Sequence, residues 1–186
     1  MPQGFLSASP TSRYGDSETN GATNYSEAQK YVLPGSGSIT INEIGGYVSA
    51  DAATTATFRW AIYTHDAAND CPETMVTNSL SDELSHNTTD FVKKSFTYST
   101  KPVLTGGSTY WIAILYADGS LNNSCFQVDE ESEYVLSSGG YPTWPTGTEW
   151  ESASADNKDI SFYAVYDTAT EDNALRFVIT LRSDGV

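Results

Sequence analysis

The stretch GSTYWIAILYADG, residues 107–119, decides the fold class of this chain. Its apolar side chains alternate with period two, so that Ile112 and Ile114 share one face while Trp111 and Leu115 share the other. Successive side chains of a strand point to opposite faces, and a strand that is apolar on both faces is covered on both sides. The stretch therefore predicts a central strand of a β-sheet.

Period-two alternation recurs along the chain, between clusters of Gly, Asn, Asp, Ser and Pro that predict turns. In residues 56–66 it places Phe58, Trp60 and Ile62 on one face, which we expect to be the buried face. The other predicted strands lie in residues 4–9, 29–34, 38–50, 90–99, 125–138, 158–168 and 173–183. About eight or nine short strands bounded by turns predict an all-β, antiparallel β-sandwich of the jelly-roll type.

A length of 186 residues fits one domain with its own core. Residues 1–30 are polar, which predicts an N-terminal arm or a first strand, and residues 31–186 are expected to form a single β-sandwich domain. Within this domain, the pair Gly45 and Gly46 interrupts an otherwise apolar strand and predicts a β-bulge.

The chain carries 24 acidic residues against 9 Lys and Arg, a formal charge of −15. Such a surface repels a phosphate backbone, so nucleic acid is a poor partner. We expect a halophilic or saline environment, a calcium-rich one, or an excess of charge that serves solubility alone. No stretch approaches the ~18 continuous apolar residues of a membrane span, so we expect no membrane insertion.

The first residues contain neither the basic region nor the apolar run of a secretory signal peptide. We therefore expect a protein that stays inside the cell or leaves it by another route, for example in a virus particle that is released on lysis. An extracellular or cell-surface location, reached without such a signal, is the alternative.

The sequence offers no recognisable catalytic constellation. His65 and His86 are the only histidines, and both lie in polar surroundings without the spacing of a metal site. There is no GxSxG motif, no glycine-rich phosphate loop and no motif of a nucleophilic cysteine. A pair of carboxylates for glycoside hydrolysis stays open, because sequence does not give their separation in space. We expect a protein without enzymatic activity.

Acidic residues cluster in two predicted loops. Asp129 and Glu130 belong to one loop, and Asp156 and Asp159 belong to the other. A calcium ion takes about six to eight oxygen ligands from carboxylates and carbonyls, so these four residues are candidate ligands of a structural calcium ion. Neither loop has the EF-hand pattern, and a solvated acidic surface is the alternative.

Two cysteines lie among turn-forming residues. Cys71 and Cys125 would close a long loop if they formed a disulfide, which stabilises a fold mainly by restricting the unfolded chain. The alternative is two unrelated buried thiols that pack as small apolar side chains.

Residues 137–150, SSGGYPTWPTGTEW, combine aromatic side chains with proline and a carboxylate. Tyr141, Trp144 and Trp150, with Glu149, have the composition of a sugar-binding platform, in which flat rings contact a pyranose and polar groups bind its hydroxyls. The two prolines stiffen the segment, which equally favours a cap over the open end of the sandwich.

Four stretches together resemble recurrent jelly-roll modules: AIY at 61–63, the run 103–113, YPTWP at 141–145 and FYAVY at 162–166. Such modules occur in virion proteins of tailed viruses and as accessory modules beside carbohydrate-active or cell-surface domains. The resemblance covers residues 36–167. Residues 168–186 extend beyond it with one more predicted strand, which would complete a sheet or pair with a neighbouring molecule.

The resemblance implies a non-catalytic structural protein on the surface of a tailed-virus particle, as a capsid decoration, fibre or tail component. Its partners would be other virion proteins and further copies of itself. The alternative is a carbohydrate-binding module or adhesin that contacts host surface glycans through the aromatic loop. Fold-level resemblance alone does not separate these roles.

Overall fold

The computed structural model describes residues 4–11, 18–22, 26–50, 55–118, 121–127, 134–137, 144–152 and 158–167. Within these residues the chain forms fifteen strands and one 3₁₀ turn, Gly147–Glu149. The strands are β1 (Gly4–Leu6), β2 (Glu18–Ala22), β3 (Ser26–Val32), β4 (Ser38–Ala50), β5 (Ala56–Asp66), β6 (Cys71–Met75), β7 (Leu84–His86), β8 (Val92–Thr97), β9 (Val103–Thr105), β10 (Thr109–Asp118), β11 (Leu121–Gln127), β12 (Tyr134–Ser137), β13 (Glu151–Ser152), β14 (Lys158–Ile160) and β15 (Phe162–Tyr166).

These strands form two sheets. Sheet A has eight strands in the order β1-β15-β4-β11-β14, with β2 beside β11 and with β8 and β9 beside β4. Sheet B has seven strands in the order β13-β12-β3-β10-β5-β6, with β7 beside β5. The pairs are antiparallel except for β1 with β15, which run parallel. The longer strands alternate between the sheets along the chain, and the predicted all-β sandwich is confirmed.

The main core lies between the two sheets. Trp60 and Ile62 of β5 and Ile112 of β10 are fully buried there, against Ile44 and Phe162 of sheet A. The indole of Trp60 meets the ring of Phe162 edge to face, with centroids 5.2 Å apart. The buried face that the sequence predicts for residues 56–66 is confirmed.

A second apolar layer covers the outer face of sheet B. The side chains of Ala61 and Tyr63 point away from the main core, yet both are fully buried, beside Trp111 and Leu115 of β10. Trp150 packs onto this layer from a segment far along the chain. Strand β10 is therefore buried on both faces, as its alternation predicts, and β5 is buried on both faces as well.

The glycine pair in β4 leaves room for other groups. A Cβ atom at Gly46 would lie 2.7 Å from Cη2 of Trp60, and one at Gly45 would lie 2.5 Å from the backbone oxygen of Lys94. The register between β4 and β15 runs without a break through both glycines, and its irregularity falls between Val165 and Tyr166 instead. The predicted bulge at Gly45 and Gly46 is therefore wrong, because these glycines serve close packing.

The free edge of β5 between β6 and β7 is closed by a loop. The Ser79 hydroxyl accepts a hydrogen bond from the N–H of Ile62 at 3.1 Å and donates one to the same residue's carbonyl oxygen at 2.9 Å. The Ser81 hydroxyl accepts a hydrogen bond from the N–H of Trp60 at 2.8 Å. Two buried serine hydroxyls thus accept the N–H hydrogen bonds of β5, while the backbone N–H groups of Val76 and Ser81 bind the carbonyl oxygens of Ile62 and Trp60.

The first thirty residues contribute to both sheets in the part that the structure describes. β1 and β2 lie in sheet A, and β3 lies in sheet B between β10 and β12. Phe5 of β1 is buried in the main core. No helix among the described residues is long and apolar enough to cross a membrane.

Candidate functional site

The aromatic loop ends in a short, hydrogen-bonded turn. The backbone N–H of Thr146 donates a hydrogen bond to Oε2 of Glu149 at 2.7 Å, and the N–H of Glu149 donates one to the carbonyl oxygen of Thr146 at 3.1 Å. Gly147 adopts a positive φ of 51° between them, which glycine tolerates best. These bonds fix the 3₁₀ turn and place Trp150 immediately after it.

Trp150 belongs to the covering layer of sheet B. Its side chain is 4 % exposed, and its ring meets Tyr63 edge to face with centroids 5.5 Å apart. Trp144 is partly buried and packs against the same layer, whereas Glu149 is exposed. Tyr141 lies outside the described residues. Of the four predicted sugar-contacting residues, Trp144 and Glu149 thus reach the surface, and Trp150 covers the face of sheet B.

Two buried polar atoms of the covering layer have no hydrogen-bond partner among the residues that the structure describes. They are the hydroxyl of Tyr63 and Nε1 of Trp150. Burial, with the charge of Glu149 nearby, raises the pKa of Tyr63 well above its ordinary value. Among the described residues, the covering layer consists of apolar and aromatic side chains, with the phenol of Tyr63 in its neutral form.

A polar cluster borders the same layer at the β5–β6 turn. The indole N–H of Trp111 donates a hydrogen bond to Nδ1 of His65 at 3.2 Å, and Nε2 of His65 lies 3.7 Å from Oδ1 of Asp70. Lys30 of β3 donates a hydrogen bond to the same Asp70 oxygen at 2.7 Å, with its ammonium 5.8 Å from the Trp111 ring centroid. Because Nδ1 accepts the Trp111 hydrogen, the proton of neutral His65 sits on Nε2.

This cluster was not predicted from the sequence. Its four members come from β3, β5, β10 and the turn after β5. Of these four residues, only His65 is of a type that suggests a functional role from sequence alone. Their bonds tie three strands to one turn. The hydrogen bond from Trp111 and the contact with Asp70 orient the imidazole of His65.

A second polar network lies where residues after β1 cross sheet A. Oε1 of Glu43 accepts hydrogen bonds from the hydroxyls of Ser9, at 2.8 Å, and Tyr163, at 2.6 Å. Lys93 donates hydrogen bonds to the Ser9 hydroxyl at 2.9 Å and to the Pro10 carbonyl oxygen at 3.3 Å. The network fixes the start of the chain to sheet A.

His86 is a structural histidine. It is 5 % exposed, and its Nε2 lies 3.2 Å from the carbonyl oxygen of Asp90. Burial lowers the pKa of His86, so its neutral form is favoured. The sequence places both histidines in polar surroundings, and it gives no sign that this one is buried.

The predicted calcium ligands fall largely outside the described residues. Asp129, Glu130 and Asp156 lie outside them, and Asp159 is described only as a backbone position of β14, paired with Phe126. Among the residues that the structure does describe, no group of three or more His, Cys, Asp or Glu side chains is placed to hold a metal ion. The calcium site stays a prediction.

Cys71 carries a free, buried thiol, so the structure contains no disulfide at this residue. Its Sγ lies 3.6 Å from the carbonyl oxygen of Gly147, within the covering layer of sheet B. Cys125 belongs to β11 of sheet A, and its side chain lies outside the described residues. Burial and the nearby carboxylates of Asp66, Asp70 and Glu73 raise the pKa of the Cys71 thiol, which makes it a packing residue.

Comparisons with models of known protein families, with curated proteins and with solved structures find no match to this chain.

Proposed function

We propose that this protein is a non-catalytic structural component of a virus particle, which acts by binding other particle proteins and further copies of itself. The observation that carries the proposal is that the buried and half-buried polar side chains bind other parts of the same chain. Ser79, Ser81, Glu43 and His65 all hold strands, turns or the N-terminal segment in place. Polar side chains that hold strands and turns in place give the protein a rigid surface, and a rigid surface is suited to assembly with other proteins.

The sequence adds two supports. The stretches at residues 61–63, 103–113 and 162–166 resemble those of virion jelly-roll modules, and they fold here as neighbouring or packed strands of the sandwich. The formal charge of −15 keeps single copies apart until a specific contact forms. Both features suit a surface component whose contacts are few and selective.

Size-exclusion chromatography with light scattering tests this proposal. The purified chain is measured at low and high salt, with calcium and with a chelator. We expect a discrete oligomer in at least one condition, because a particle component forms symmetric contacts with its own copies. A monomer in every condition would contradict the proposal.

Carbohydrate binding through the aromatic loop is a second candidate function. Trp144 is only partly buried, and the exposed Glu149 follows it across one turn. An indole ring and a carboxylate are groups that bind the apolar face and the hydroxyls of a pyranose. In this second candidate function, the buried Trp150 holds the loop against sheet B and Trp144 contacts the sugar.

A glycan array followed by two variants separates these roles. Trp144→Ala should remove glycan binding and cost less unfolding free energy than Trp150→Ala, because Trp144 is only partly buried. Trp150→Ala should cost about 3–5 kcal/mol of stability, because it empties a buried site. If no glycan binds the wild-type protein, or if Trp144→Ala leaves binding unchanged, this candidate is wrong.

A further inference from the structure

Strand β8 is an open edge of sheet A. Within the described residues its backbone pairs with β4 alone, from Val48 opposite Val92 to Glu43 opposite Thr97. The strand is six residues long, and the side chains of Val92, Lys93 and Thr97 are exposed. A long edge strand presents N–H and C=O groups to which another chain can add.

The register identifies which backbone groups are free. The N–H of Tyr98 donates a hydrogen bond to the carbonyl oxygen of Asn42 at 2.9 Å. Bonded positions alternate along an antiparallel pair, so the backbone groups of every second residue before Tyr98 also face β4. Those of Lys93, Ser95 and Thr97 therefore face away from β4, which leaves three N–H and three C=O groups for a further strand.

The charge of this edge is opposite to that of the rest of the chain. Residues 91–105 contain three of the five lysines, Lys93, Lys94 and Lys101, and contain neither Asp nor Glu. The same segment supplies Val92, 42 % exposed, and Val103, 58 % exposed, in β8 and β9 along one side of β4. Lys101 lies 3.8 Å from Oδ2 of Asp167, so the positive charge of the edge comes mainly from Lys93 and Lys94 of β8. The edge thus combines free backbone groups, apolar side chains and positive charge.

Lysines on an edge strand discourage pairing with an identical edge, because like charges would meet. The same lysines favour an acidic strand, and each copy of this chain offers 24 acidic residues. A second copy is therefore a partner of the right charge for this edge, provided that it contributes a different surface.

We propose that the β8 edge binds an acidic, extended segment of a second copy of this chain, which adds as a further strand to sheet A. This inference rests on the proposed function, since it names the contact by which copies assemble. Two different surfaces meet in such a contact, so the copies either assemble head to tail into a ring or filament, or exchange the segment reciprocally in a two-fold dimer.

The backbone arm of the test uses Thr97, whose side chain is exposed and whose N–H faces away from β4. Thr97→Pro removes that donor without removing a bond to β4. Thr97→Val is the matched control, because it keeps the N–H and a β-branched side chain. Light scattering over a concentration series should show self-association weakened about tenfold or more by proline and unchanged by valine.

The charge arm compares Lys94→Glu with Lys158→Glu. Both variants change the net charge equally, but Lys158 lies in β14, away from the β8 edge in sheet order. We expect Lys94→Glu to weaken self-association about tenfold or more and Lys158→Glu to change it far less. Circular dichroism of each variant checks the fold, and if Thr97→Pro does not fold, the charge arm alone decides.

Two contrary results are distinguishable. If the wild-type chain forms an oligomer that neither Thr97→Pro nor Lys94→Glu weakens, the edge contact is wrong while the proposed function stands. If the wild-type chain stays monomeric at every concentration and salt level, both proposals fail.

Discussion

At the scale of single residues, Gly46 shows how the core constrains the sequence. Gly46→Ala adds a Cβ atom that would lie 2.7 Å from Cη2 of Trp60 and 3.1 Å from Cδ1 of Phe162. We expect this overpacking to cost about 1–3 kcal/mol of unfolding free energy, measured by urea denaturation.

A double-mutant cycle identifies the clash. Trp60→Phe removes Cη2, so Gly46→Ala should cost clearly less in the Trp60→Phe background than in the wild type. Equal costs in the two backgrounds would mean that the tryptophan ring is not the obstacle.

At the scale of elements, the loop between β6 and β7 stabilises the edge of β5. Ser79→Ala and Ser81→Ala each leave one buried backbone N–H of β5 without its acceptor, and each should cost about 1–3 kcal/mol. Ser85→Ala is the matched control, because Ser85 is an exposed residue of β7. Thermal unfolding that is equally affected by all three substitutions would contradict the role of the two buried serines.

The elements also show how far the sequence predicts this fold. Alternation alone identifies β5 and β10, because apolar residues that recur at period two line one face of a strand but scatter around a helix. It predicts one strand in residues 158–168, whereas the structure forms β14 and β15 there. The N–H of Ile160 donates a hydrogen bond to the side-chain oxygen of Gln29 at 2.8 Å. Because the two residues are 131 positions apart, the sequence around Ile160 does not reveal this bond.

The candidate site was less accessible to sequence reasoning than the fold. Composition singled out Trp144, Glu149 and Trp150, but it did not separate a ligand platform from a cover. That distinction depends on Tyr63, whose ring contacts Trp150. Tyr63 lies on the outer face of β5, and the sequence predicts only the opposite face of this strand to be buried. The cluster around His65 joins residues from three strands, which no spacing along the chain reveals.

At the scale of the whole molecule, buried tyrosines make stability depend on alkaline pH. Burial is the main cause that raises the pKa values of Tyr63, Tyr98 and Tyr163 above the ordinary value of about 10. Above pH ~10 the unfolded chain loses these protons while the folded chain keeps them, so the unfolding free energy falls as pH rises. Below pH ~10 the contribution of these tyrosines to the unfolding free energy is fully present.

Urea denaturation between pH 8 and about 12 measures the effect. Tyr98 is the clearest reporter, because it is 4 % exposed and its hydroxyl donates a hydrogen bond to the Ser79 carbonyl oxygen at 2.6 Å. We expect a loss of up to about 1.4 kcal/mol per pH unit for each such tyrosine, and a shallower loss for Tyr98→Phe. An unfolding free energy that stays constant up to pH ~12 would contradict this prediction.

The parallel pairing of β1 with β15 has a mechanical consequence. When two neighbouring strands run in the same direction, tension applied at the start of one and at the end of the other slides them past each other. Their backbone hydrogen bonds, which span Gly4 to Leu6 opposite Tyr163 to Val165, are then strained together rather than broken one at a time. A sandwich pulled between residues 4 and 167 would thus resist stretching by shear, whereas antiparallel neighbours pulled from a shared end unzip.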